Sequence, residues 1–124
     1  MVAQDIMTTQ VLTVKPDAIL KDVIKLLVEI EISGVIVTDE NEDVVGVVTE
    51  KDLIVAYDFL RQINAPVLDF VNKNVISVEP DTPIDEVAQL LVGNNIHRVP
   101  VMQGKKVVGI VSRRDILKTI LKEA

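Results

Sequence analysis

Apolar and polar positions along this chain spell out one series of elements, and then spell it out again. Val11-Leu12-Thr13-Val14 reads as a short strand that Pro16-Asp17 breaks. Leu20, Val23, Ile24 and Leu27 follow at the i, i+3, i+4, i+7 spacing of a helix with one buried face. Val35-Ile36-Val37 and Val44 to Val48 then predict two strands joined by the polar turn Asp39 to Asp43, with a closing helix from near Thr49. The second half repeats this order: strand Val75-Ile76-Ser77-Val78, breaker Pro80-Asp81, and a helical stripe of Ile84, Val87, Ala88 and Leu91. Strands Val99-Pro100-Val101 and Val107 to Val111 flank the turn Gln103-Gly104-Lys105-Lys106, and a helix starts near Ser112. Thr82-Pro83 offers an N-cap and an N1 proline to the second stripe. Pro100, which cannot donate to a ladder, suits an edge or a strand start. The segment Ile54 to Ala65 is predicted to be mostly helical and to link the halves.

The repetition is also literal. Asp5 to Val37 aligns without a gap on Asp69 to Val101, with 12 of 33 positions identical. After the loss of one residue in a loop, Val44-Val45-Gly46-Val47-Val48-Thr49 falls on Val107-Val108-Gly109-Ile110-Val111-Ser112, and Asp52 on Asp115. The boundaries read as 1–60 and 61–124. A period of more than 60 residues is longer than that of solenoid repeats, so the copies are expected to close on each other around a pseudo-twofold axis. One βαββα unit alone has too small a core. The predicted fold class is therefore α/β (α+β), two βαββα repeats packed through their sheets. Near-continuous Val/Ile runs further suggest buried parallel strands.

Composition narrows the chemistry. The 48% apolar content places the chain among globular proteins, and a net charge of −6 disfavours nucleic-acid partners. There is no cysteine, which removes disulfides and thiolate metal sites, and the single histidine removes a multi-histidine metal site. No apolar run nears the roughly 18 residues of a membrane span, and the first residues lack signal-peptide character, so a cytoplasmic protein is expected. No G-x-S-x-G elbow, G-x-G-x-x-G turn or complete phosphate loop is present, so the chain does not read as an enzyme.

Two constellations remain. Thr49-Glu50-Lys51-Asp52 and Ser112-Arg113-Arg114-Asp115 have capping-box spacing. The same hydroxyl and carboxylate can also face a ligand, the carboxylate accepting from ribose hydroxyls while the helix start favours phosphate. The second constellation is Ile96-His97-Arg98, where Arg98 offers a fork to phosphate with His97 beside it; the first copy has Ile32-Ser33-Gly34 there and no cation. Arg113 and Arg114 are further candidate cations.

Together these motifs resemble a tandem pair of CBS domains, named after cystathionine β-synthase and also called a Bateman module, over about residues 3–121. The first copy departs from the pattern in lacking a proline at Ile36. The resemblance implies a regulatory sensor that needs no cofactor and no metal. It would bind AMP, ADP or ATP, or else S-adenosylmethionine or NAD, in a cleft between the repeats, and would signal to an unidentified regulated protein as a homodimer. It also implies composite sites. The preferred one comprises Val71, Ile76, Ile96, His97 and Arg98 with Thr49 and Asp52. The second comprises Met7, Leu12, Ile32, Ser33 and Gly34 with Ser112 and Asp115. The alternative is a ligand-free homodimerisation or protein-interaction module.

Overall fold

The computed structural model describes all 124 residues, which fold as two compact units, Leu12–Val75 and Met1–Val11 with Ile76–Ala124. Their limits cut across the sequence halves because each unit takes in the leading segment of the other repeat.

In the unit Leu12–Val75, β1 (Thr13–Val14) leads to α2 (Leu20–Ile30), then β2 (Gly34–Thr38), β3 (Val44–Thr49) and α3 (Glu50–Leu60), with a 3-10 turn at Leu68–Phe70. The sheet order is β1-β2-β3, parallel between the first pair and antiparallel between the second. The α2 stripe predicted from spacing is the buried one: Leu20, Val23 and Leu27 pack with Val35, Val37 and Val48 of the sheet and with Leu53 and Ala56 of α3. Lys15 closes the open end of this unit. Its ammonium donates to Thr38 Oγ1 at 3.2 Å, to the Asp39 carbonyl at 2.9 Å and to Glu42 at 2.7 Å, fixing the β2–β3 turn. The Glu42 contact lies between exposed side chains and contributes little, so the bonds to the turn carry most of the effect. α3 ends at Leu60 with Arg61 in the left-handed region, which makes the predicted link to Ala65 only half helical.

The other unit contains α1 (Ala3–Ile6), α4 (Ile84–Gly93), β4 (Arg98–Gln103), β5 (Lys106–Ser112) and α5 (Arg113–Glu123). β4 and β5 form an antiparallel pair. Val87 and Leu91 of α4 meet Val99, Val101 and Val111 of the strands, Ile116 of α5 and Ala3 of α1. The predicted strand Val75–Val78 is reduced to one bridge, Val78 to Val101. Pro100 explains the loss. Val78 N–H donates to the Pro100 carbonyl at 3.0 Å and Met102 N–H donates to Val78 at 2.8 Å, but the next rung needs a proton on the Pro100 nitrogen. Thr82 does not cap α4 either. Its hydroxyl accepts from Glu79 N–H at 2.9 Å within the Glu79–Thr82 turn, and Pro83 takes the N-cap position without a side-chain bond.

The leading segments enter their adopted units through matched backbone bonds. Thr8 and Ile110 exchange N–H to carbonyl bonds at 2.8 and 2.9 Å, as do Asn72 and Val47 at 2.8 and 2.9 Å. Each approach runs over a buried glycine, Gly109 beneath Met7 and Gly46 beneath Val71 and Asn72.

The connection after the first helix of each repeat turns through the left-handed region, at Glu31 (φ 59°) and Asn95 (φ 51°). Asparagine adopts that conformation at lower cost than glutamate. Glu31→Gly is therefore expected to stabilise the protein by about 1 kcal/mol, read as a higher urea midpoint by circular dichroism. An unchanged or lower midpoint would show that Glu31 is not strained.

Candidate functional site

Both Thr49 and Ser112 are helix N-caps, and both motifs form complete capping boxes. Asp52 Oδ2 accepts from Thr49 N–H at 2.8 Å and from its hydroxyl at 2.9 Å; Asp115 Oδ2 accepts from Ser112 at 2.8 and 3.0 Å in the same way. The capping role is thus fully realised. It uses one oxygen of each carboxylate and leaves Oδ1 as a pre-oriented acceptor.

Strand register sets what faces each motif. Gly34 lies opposite Thr49 in the first pair, and Arg98 lies opposite Ser112 in the second. The backbone repeats the match one residue on: Glu50 N–H donates to the Ser33 carbonyl at 3.0 Å, and Arg113 N–H to the His97 carbonyl at 2.9 Å. Each unit therefore brings a hydroxyl-carboxylate motif against the loop of its own repeat. Ile32, Ser33, Gly34, Thr49, Asp52 and Val71 belong to one unit together with the exposed Leu12; Ile96, His97, Arg98, Ser112, Asp115 and Met7 belong to the other together with the exposed Ile76. The groupings implied by resemblance, His97 and Arg98 with Thr49 and Asp52, and Ile32 to Gly34 with Ser112 and Asp115, each draw on both units.

The helix starts offer fewer donors than their capping spacing suggests. Of the first N–H groups of α5, Arg113's is bonded to His97 and Asp115's to the Ser112 hydroxyl at 3.1 Å, leaving that of Arg114. An anion here must be held mainly by side chains. Around α5 these are His97, Arg98 and Arg114, all exposed; around α3 they are Glu50 and Lys51, whose charges cancel. Arg113, a candidate cation from sequence, is already engaged: its guanidinium donates to the Ile96 carbonyl at 2.8 Å and, more weakly, to Asn95 Oδ1 at 3.4 Å and the Leu91 carbonyl at 3.5 Å. The signal for this difference was the alignment of Arg113 with Glu50, which cannot donate.

Comparison with known proteins agrees with this architecture. The CBS domain family matches residues 2–58 and 67–122, and the chain belongs to that family. An uncharacterized 17.7 kDa protein of Acidianus ambivalens is 32% identical over 117 residues, 94% of this chain and 71% of that protein. Inosine-5'-monophosphate dehydrogenase of Methanocaldococcus jannaschii is 28% identical over 94% of this chain, which spans only 23% of the dehydrogenase. Among solved structures, CBSX2 in complex with AMP superposes with a TM-score of 0.87 at 28% identity, covering 98% of this chain and 97% of that one. The CBS domain pair of protein MJ0100 in complex with 5-methylthioadenosine and S-adenosyl-L-methionine gives 0.83 at 26% identity, covering 100% and 98%. The fold is the mixed α/β architecture of CBS pairs, and no helix is long and apolar enough to cross a membrane.

Proposed function

We propose that this chain is a regulatory module that binds an adenosine-containing ligand and does no chemistry on it. The observation that carries this reading is the pairing of Arg98 with Ser112 at the start of α5, beside an Asp115 carboxylate with one oxygen still open. In this reading Asp115 accepts from the ribose hydroxyls, His97 and Arg98 approach the phosphates, and Ile96 and Met7 supply apolar contact to the base. Thr49, Asp52 and Val71 form the corresponding set of the other unit, which lacks the cations and suits a ligand of lower charge. Adenosine ligands in the complexes of CBSX2 and MJ0100 support the assignment. With two aromatic residue types nearly absent and no tryptophan, base binding rests on shape and hydrogen bonds, and affinity is expected in the micromolar range, about 8 kcal/mol. Regulation follows if the ligand prefers one of two conformations, which a partner protein then reads.

Calorimetric titration with AMP, ADP, ATP, S-adenosylmethionine and NADH tests this. At least one is expected to bind, and silence across the set rejects the reading.

Exposed apolar residues favour a second copy of the chain as partner. Ile54, Val55, Tyr57 and Phe59 on α3 are each about half exposed or more, as are Leu117, Ile120 and Leu121 on α5. Such surface is costly to leave in water. Light scattering is expected to give twice the chain mass of 13.7 kDa.

A further inference from the structure

We propose that Arg113 is a positioning residue which clamps the loop that carries His97 and leads into Arg98 at the start of β4, and is not itself a phosphate ligand. The inference rests on the nucleotide reading above and deepens it. The loop between α4 and β4 is short and exposed at Asn94, Asn95 and His97, and it passes through the left-handed region at Asn95. Its own bonds run back to the end of α4, from Asn94, Asn95 and Ile96 N–H to Leu90, Val92 and Leu91, and leave the Ile96 and His97 carbonyls to be held from outside the loop. Arg113 ties it at three places. Its Nε–H donates to the Ile96 carbonyl at 2.8 Å, its Nη2 reaches Asn95 Oδ1 and the Leu91 carbonyl, and its own backbone N–H holds the His97 carbonyl at 2.9 Å. The side-chain bonds draw on the planar fork, which a lysine cannot reproduce. With Nε and Nη2 directed at acceptors of the loop and of the end of α4, only Nη1 is left without a protein acceptor.

The first repeat provides an internal control. Glu50 occupies the matching position and keeps only the backbone bond, to Ser33 at 3.0 Å. Its loop, Ile32-Ser33-Gly34, carries no cation. The clamp thus occurs in the repeat whose loop bears charged groups that need a fixed direction. Ordering those groups before binding removes a cost from binding.

The test compares adenosine, AMP and ATP on the full chain by calorimetry, with amide exchange of residues 95–98 followed by NMR. Arg113→Gln is expected to weaken all three ligands by the same factor, about tenfold, and to speed exchange of the bonded amides of Asn95 and Ile96 in the free protein. Arg98→Gln, by contrast, should weaken AMP and ATP and spare adenosine. Arg113→Lys keeps the charge without the fork and should behave like Arg113→Gln. A loss at Arg113 confined to AMP and ATP would make it a phosphate ligand and overturn the clamp. Unchanged binding and exchange, or full rescue by lysine, would overturn it too. Failure of the unmodified protein to bind any of the three would instead reject the nucleotide reading, and the clamp's role in binding with it.

Discussion

Gly46→Ala is expected to destabilise the unit Leu12–Val75 by about 3 kcal/mol, whereas Gly109→Ala costs about 1 kcal/mol. The two glycines align in the repeat and both lie under an adopted leading segment, so sequence alone assigns them the same sensitivity. What lies above them differs. A Cβ on Gly46 would press on the backbone carbonyl of Asn72 and come within 2.6 Å of Val71 Cγ1. That carbonyl accepts from Val47 N–H at 2.9 Å, and Asn72 N–H donates back to Val47 at 2.8 Å. The backbone cannot move away without breaking both bonds. A Cβ on Gly109 would meet the side chain of Met7, with Cγ at 2.7 Å and Cβ at 3.0 Å. A methionine can swing its thioether aside, though its Cβ must still give slightly. Urea unfolding of the two variants measures the difference. Equal costs would mean that the Asn72 backbone can yield as readily as a thioether. Because Val71 belongs to the candidate site, Gly46→Ala should also weaken any ligand bound there.

Asp115→Asn is expected to lower affinity for AMP by 10-fold or more, about 1.4 kcal/mol at the least, while changing stability by less than about 1 kcal/mol. An asparagine oxygen can still accept from Ser112 N–H and hydroxyl, so the cap survives apart from its favourable charge at the helix start. The open position, however, becomes an NH2 that cannot accept from a ribose hydroxyl. Asp115→Ala loses cap and acceptor together and should cost a further 1 kcal/mol or so of stability. An Asp115→Asn protein with undiminished AMP binding would remove the carboxylate from the site. A double-mutant cycle with Arg98→Gln identifies the carboxylate that shares a ligand with Arg98. Coupling with Asp115→Asn is expected, since strand register sets Arg98 opposite Ser112; coupling with Asp52→Asn instead would assign the ribose to that carboxylate.

Much of the architecture was legible in the sequence because it depends on local periodicity. The α2 stripe of Leu20, Val23 and Leu27 is the face that is buried, and Thr49 and Ser112 begin helices as their spacing to Asp52 and Asp115 requires. Other expectations failed where a local pattern met a competing bond. Thr82 has the composition of a cap but is drawn into the Glu79 turn, and Val75–Val78 has the composition of a strand but meets the missing N–H of Pro100. Arg113 looked like an available cation, because a sequence shows charge and not the carbonyls to which it is committed.

The duplicated series of elements, its helix starts and its repeated hydroxyl-carboxylate pairs were determined by the sequence itself, since each follows from residues within one or two turns of each other. Which leading segment joins which unit was decided only in three dimensions. Duplicated strands present the same Val-Val-Gly edge twice, so local pattern cannot choose between them. In the structure Met1–Val11 folds with Ile76–Ala124, and the segment after α3 returns to β3. The same long-range pairing sets Met7 over Gly109 and Val71 over Gly46, and the strand register sets Arg98 beside Ser112. These contacts join residues far apart in the chain, and only packing and backbone hydrogen bonding across that distance could select them.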